Sequence, residues 1–227
     1  MAEPATRSGS RHDDLRILDW VASVHAAHDA GLAGAFTAPE QTGIPAIQVA
    51  PSEGRFLELL MRLVRAERVV EVGTLAGYSA IRLAQGMVSG GRLWTIEFDP
   101  GHAEIARQRI AAAELSVEVE VLVGAGVDVL PTLEAHGPFD AVFVDADKIS
   151  YAHYGRWAAQ HLREGGLLIG DNAHLFGQLL DDSERGAAMR CFHEEAAATF
   201  ESVCLPTPEG LLIGIRRPHQ GDSTSTK

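Results

Sequence analysis

Two stretches of this sequence end in side chains that can do chemistry together. Residues 139–148 read F-D-A-V-F-V-D-A-D-K, and residues 165–172 read G-G-L-L-I-G-D-N. Each is an apolar run closed by acid or amide groups. The first delivers Asp145, Asp147 and Lys148, and the second delivers Asp171 and Asn172. Asp145, Asp171 and Asn172 supply oxygen donors, the kind that a hard cation such as Mg²⁺ prefers. Lys148 would stand beside them. The set suits metal-assisted chemistry on an oxygen-bearing substrate.

For these residues to meet, both runs must be parallel strands that end at one edge of a sheet. Open α/β sheets bind ligands at that edge. The rest of the chain supplies such a sheet. From Arg68 onward, short apolar runs alternate with helical patterns: R-V-V-E-V, R-L-W-T-I-E, V-E-V-E-V-L-V, F-D-A-V-F-V and G-L-L-I-G, each followed by a helix. Two closing strands, F-E-S-V-C-L-P and G-L-L-I-G-I-R-R, are joined by a short link, so one of them runs antiparallel. Seven strands alternating with helices predict a Rossmann-like, doubly wound, mostly parallel α/β sheet with helices on both faces.

Upstream lies a helical cap, residues 13–66. A first helix is expected from Asp13 or Asp14 to about Ala30, with Leu15, Leu18, Val21, Ala22 and His25 on one face and Gly31 and Gly34 ending it. The stretch from Ala38 to Pro51 reads as a loop. A second helix is expected with Ser52 as N-cap and Phe56, Leu59, Leu60 and Leu63 as its buried stripe. Residues 13–217 form one domain on this reading, and the polar ends, 1–12 and 218–227, read as mobile tails.

Composition narrows the function. The 227 residues are 46 % hydrophobic, enough for a full core in one domain. A formal net charge of -12 argues against a nucleic-acid partner. No apolar run reaches the length of a membrane span, and the N-terminus lacks the apolar stretch of a signal peptide. Two cysteines, Cys191 and Cys204, make no disulfide framework and read as buried hydrophobes. A cytoplasmic protein is the expectation.

The first strand and turn, E-V-G-T-L-A-G-Y-S from Glu71, is a nucleotide-type site. Gly73 and Gly77 permit a tight turn and close approach of a ligand. The glycine that admits a pyrophosphate in G-x-G-x-x-G is missing. The next strand ends in Glu97, placed to accept hydrogen bonds from both ribose hydroxyls. A ribose without pyrophosphate, in an acidic setting, points to S-adenosylmethionine, whose sulfonium is cationic. The plainer alternative is a pair of turn glycines and a solvated strand-end acid.

These residues resemble a known family, the cation-dependent O-methyltransferases of the caffeoyl-CoA and catechol type. The resemblance runs from about Ile47 to Arg216. It rests on S-E-G-R-F-L at 52–57, E-V-G-T-L-A-G-Y-S at 71–79, Glu97 with Asp99, V-D-A-D-K-I-S-Y at 144–151, G-G-L-L-I-G-D-N at 165–172, and Phe192. It implies that Asp145, Asp171 and Asn172 hold Mg²⁺ or another divalent cation such as Mn²⁺ or Ca²⁺. It implies that Val49, Glu71, Gly73, Thr74, Ser79, Glu97, Gly126, Asp145 and Asp147 contact S-adenosylmethionine. Lys148 matches the lysine assigned as base, with Asp145 beside it. The implied acceptor is a small hydroxylated, catechol-like molecule, and the implied assembly is a homodimer.

The chain departs from the plant members after Asn172. Where they continue Leu-Trp and a substrate-side Asn, it reads Ala173, His174, Leu175, Phe176. That departure and the acidic charge argue against a coenzyme A ester. His174 and Phe176 become candidate substrate contacts. Tyr154 and Trp157 read as core or interface, and His25 and His28 as surface or core residues. Two rivals remain: an NAD-dependent dehydrogenase of similar fold, and a non-catalytic protein that only binds the adenosyl ligand.

Overall fold

A computed structural model describes residues 14–218, so the expected tails lie outside it apart from Pro218. Among the described residues three helices come first: α1 (Leu15–His25), α2 (Ala30–Thr42) and α3 (Pro51–Val64). The alternating part follows as β1 (Arg68–Val72), α4 (Tyr78–Gly86), β2 (Arg92–Glu97), α5 (Pro100–Ala112), β3 (Glu118–Val123), α6 (Gly126–Leu133), β4 (Phe139–Val144), α7 (Tyr151–His161) and β5 (Leu162–Gly170). The chain closes with α8 (Glu184–Thr199), β6 (Phe200–Leu205) and β7 (Leu211–Arg216).

The seven strands form one sheet in the order β3-β2-β1-β4-β5-β7-β6. The strands from β3 to β5 pair in parallel, and β7 runs antiparallel between β5 and β6. Strand alternation divides the core in two. Val69, Ala141, Phe143, Leu167 and Ile169 face the layer of α2, α3, α4 and α5. Their neighbours Val70, Val142, Val144 and Leu168 face α6, α7 and α8. A strand buried on both faces must be apolar at every position, so these runs lack the polar alternation of a half-exposed sheet. Among the described residues no helix is long and apolar enough to cross a membrane.

The cap differs from the expectation. The first helix stops at His25, and a second begins at Ala30, with Asp29 Oδ1 accepting from Leu32 N at 2.8 Å. Gly31 and Gly34 lie inside that second helix rather than ending the first. A Cβ on Gly31 would come within 2.8 Å of Ala113 Cα, so this glycine serves close helix packing. Residues 38–42, expected as loop, complete the same helix, and Gly43 at φ 78° ends it. The α3 N-cap is Ala50, not Ser52, because Pro51 fits the first helical position and Glu53 reaches back to Ala50 N at 3.2 Å. The buried face of α3 carries Leu57, Glu58, Leu60 and Met61, while Leu59 and Leu63 face water.

Glu58 explains that shift. Its carboxylate is buried and meets three guanidiniums, from Arg55, Arg62 and the equally buried Arg82. Arg82 also donates to Ala26 O at 3.0 Å, and Tyr78 beside it meets His28 Nε2 at 2.8 Å. This network fastens the α1–α2 junction to α4. Cys191 and Cys204 are half-buried rather than buried, and Cys191 donates to Glu195.

Candidate active site

The sheet reverses its winding between β1 and β4, and the crevice this creates lies at their carboxyl ends. Three strand ends are stacked there by backbone bonds. Gly73 N donates to Ile96 O, Asp145 N to Val72 O, and Asp171 N to Val144 O, all at 2.8–2.9 Å. A cavity of about 720 Å³ opens over them. Val49, Gly73, Thr74, Ser79, Glu97, Gly126, Asp145, Asp147, Lys148, Asn172 and Phe176 line it. The sequence-chosen residues outside its lining are Glu71, Asp171 and His174.

The floor of the cavity is a tight backbone crossing. Gly73 has φ 100°, and a Cβ there would sit 1.9 Å from Asp145 O. Only glycine fits, and the loop after β1 is drawn against the strand end that bears Asp145. Gly126 opens α6 in the same way, since a Cβ would strike Val72 and Tyr154.

Glu97 holds that loop. Its Oε2 accepts from Thr74 N at 3.1 Å and Leu75 N at 2.8 Å, and its Oε1 accepts from Asp99 N at 3.0 Å. A carboxylate offers roughly four acceptor directions. Three are filled, so one on Oε1 is left for a ribose hydroxyl, where the sequence suggested room for two. Glu71 lies wholly buried beneath. Its Oε2 accepts from Thr95 Oγ1, yet its Oε1 has no partner among the described residues. Burial, reinforced by Asp145 and Glu97, pushes its carboxyl up to about 7.

At the other end, Lys148 is 8 % exposed. Its amine donates to Tyr151 Oη at 2.6 Å and to Asp145 Oδ1 at 3.2 Å. Tyr151 in turn donates to the backbone, with Asp171 O at 2.8 Å. Burial lowers the lysine pKa, against an upward pull from Asp145 and Asp171. Burial likewise raises the Asp171 carboxyl, and the negative charge of Asp145 adds to it. Asn172, at φ 51°, engages Asp171 Oδ2 through its amide nitrogen at 3.4 Å. Its amide oxygen is therefore the atom left to coordinate. Among the described residues no three His, Cys, Asp or Glu side chains gather as a metal cage. A cation here would draw on two carboxylates and the Asn172 amide, all hard oxygen donors.

Several residues at the site escaped the sequence reading. Tyr154 belongs to the core, as expected, but its hydroxyl also donates to Asp147 Oδ2 at 2.6 Å and its ring lines the cavity. Tyr151 and Tyr154 stand three apart in the first turn of α7, so they share a face directed at the turn that carries Asp147. His102, in the first turn of α5, brings Nδ1 to 3.7 Å from Glu97 Oε1. Ile47 and Gln48 reach the cavity from the segment before α3. His174 packs instead against the turn before β7: its backbone N donates to Glu209 O, and a Cβ on Gly210 would strike its ring.

Comparison with known proteins agrees with this architecture. A family model described as O-methyltransferase matches residues 30–210. A catechol O-methyltransferase of Niastella koreensis is 39 % identical over 190 residues, covering 83 % of this chain and 86 % of that one. A catechol O-methyltransferase of Mycobacterium tuberculosis is 44 % identical over 165 residues, covering 71 % and 74 %. Among solved structures, the Bacillus cereus O-methyltransferase in complex with SAH superposes with a TM-score of 0.83 at 34 % identity, covering 89 % of this chain and 97 % of that one. TomG of Streptomyces achromogenes, an O-methyltransferase of tomaymycin synthesis in complex with SAM, gives 0.84 at 33 % identity, covering 92 % and 100 %. With residues 30–210 matched by the family model and relatives 39 % and 44 % identical over most of its length, the chain belongs to the O-methyltransferase family.

Proposed function

We propose that this protein transfers a methyl group from S-adenosylmethionine to one hydroxyl of a catechol-like acceptor, with a divalent cation held by Asp145, Asp171 and Asn172. The observation that carries this reading is the gathering of those three residues with Lys148 at the ends of β4 and β5, beside the Gly73 turn and Glu97. The residues fit the cofactor on three counts. Gly73 draws the loop after β1 onto the end of β4, so backbone forms this part of the cavity lining. Glu97 keeps an open acceptor for ribose. Asp145 and Asp147 give the cavity the negative surroundings that a sulfonium favours.

When bound, the cofactor supplies an electrophilic methyl group and the cation supplies positive charge beside the acceptor oxygen. The chain supplies alignment and proton transfer. Apolar walls from Val49, Ile96 and Val127 exclude water. Lys148 Nζ takes the hydroxyl proton, and its burial already favours the neutral amine. Tyr151 fixes where that amine points. We further propose a homodimer, supported by the uncovered apolar face of α1.

The test is a methylation assay with labelled S-adenosylmethionine and a catechol panel, run with EDTA and after adding back Mg²⁺ or Mn²⁺. EDTA should abolish turnover and either cation should restore it. Full turnover in EDTA would remove the cation from the proposal.

A further inference from the structure

We infer that His102 is a second reader of the cofactor's ribose, so that Glu97 and His102 together hold its two neighbouring hydroxyls; this rests on the S-adenosylmethionine reading above. Glu97 alone falls short of that task. Its carboxylate spends three acceptor directions on Thr74 N, Leu75 N and Asp99 N and keeps one, on Oε1. A ribose presents two hydroxyls. The second needs another polar atom close to that oxygen.

His102 brings one. Its Nδ1 stands 3.7 Å from Glu97 Oε1, and both residues line the cavity. That gap exceeds the roughly 3.2 Å reach of a hydrogen bond. The two atoms therefore face each other without bonding, and the pair stays open to oxygens that bond to each. A hydroxyl both donates and accepts, so it suits Nδ1 with or without a proton.

The local fold holds the ring in that place. Asp99 caps α5, its Oδ1 accepting from Gly101 N at 2.7 Å and from His102 N at 3.0 Å. His102 is thereby fixed at the third position of the helix. Helical side chains lean toward the N-terminus of their helix, so this ring is carried back over the end of β2. Its side chain is 25 % exposed, so the ring is held against the cavity wall rather than loose in water. The rival role is that His102 only offsets the negative charge of Glu97 and Asp99. Such a role would change the affinity of every adenosyl ligand alike and would not tell one ribose hydroxyl from the other.

The test is calorimetry on the whole chain with S-adenosylhomocysteine and its 2′-deoxy and 3′-deoxy analogues. In the wild type, losing the hydroxyl on Glu97 should weaken binding about thirtyfold, as for a bond to a charged group, and losing the other about fivefold. His102→Ala should weaken the parent ligand about fivefold, erase the smaller deoxy loss and spare the larger. His102→Phe, which keeps a ring without nitrogens, should behave as the alanine variant. His102→Asn should restore the smaller loss, because its amide sets a donor or acceptor where Nδ1 stands. Deoxy losses unchanged in both nitrogen-free variants would overturn the inference and leave the cofactor reading intact. So would a wild type in which only one of the two hydroxyls matters. A wild type that does not bind S-adenosylhomocysteine would sink the cofactor reading and this inference with it.

Discussion

Lys148 and Glu71 are both buried ionisable groups near the same strand ends, yet their surroundings ask different things of them. The Lys148 amine is pointed by Tyr151 and drawn by Asp145, while burial favours its neutral form. As the base, its loss should lower kcat about a hundredfold in Lys148→Ala, with partial recovery at high pH where the acceptor ionises unaided. Lys148→Arg should not rescue, since guanidinium keeps its proton. An alanine variant with most of its neutral-pH kcat would assign Lys148 to holding the turn. Glu71 is wholly buried, with an orphaned oxygen and no ion pair among the described residues, so the fold favours its protonated form, up to about 7 against an ordinary 4.5. The unfolded chain loses that proton first as pH rises. The Glu71 contribution to the stability of the ligand-free protein should be full below pH 4.5 and be lost through pH 7, a change of about 3 kcal/mol from this group. Denaturant titrations at pH 5 and pH 8 check this, and Glu71→Gln should flatten the slope. An equal slope in that variant would place the titration elsewhere.

At the scale of elements, the turn between β1 and α4 is the least tolerant joint. Gly73→Ala would drive a Cβ into Asp145 O, a backbone atom that can only yield by moving β4. A loss of about 3 kcal/mol or more is expected, with cofactor binding lost. Gly90 makes the control, because it also has positive φ, 81°, but nothing within 4 Å of its Cβ position. Gly90→Ala should cost about 1–2 kcal/mol and spare binding. Thermal melts of the two variants decide whether the clash or the dihedral dominates. The joint was visible in the sequence because Gly73 and Gly77 interrupt a strand-to-helix pattern. The seven strands were visible too, since burial on both faces leaves runs such as A-V-F-V without polar alternation. The cap was not. Gly31 looks like a helix end until Ala113, far along the chain, is seen against it. Glu58 looks solvent-facing until Arg82 is found beneath it, and that partner displaced the expected stripe on α3. The meeting of acids, amide and lysine at the ends of β4 and β5 was legible because short motifs carry those residues. The placing of Phe176 was only half legible, because its left-handed backbone depends on contacts with the turn at 207–210.

Across the whole molecule, α1 buries none of its residues, and Ile17, Trp20, Val21 and Val24 follow helical spacing on its surface. If a second copy covers them, light scattering after size exclusion should give twice the 24.3 kDa chain mass. Trp20→Glu with Val24→Glu should then yield a monomer, and an unshifted dimer would move the interface elsewhere. The position of β7 has its own consequence. It follows β6 in the chain, yet it fills the slot between β5 and β6 and its preceding turn anchors the loop after Asn172. A chain still emerging from the ribosome therefore has every acid of the cavity but an open sheet edge at β5 and an unanchored Phe176. Catalytic competence should arrive only with the final hairpin. Stopping translation after Leu205 should give a product that aggregates and methylates nothing, although no residue of the candidate site has been removed.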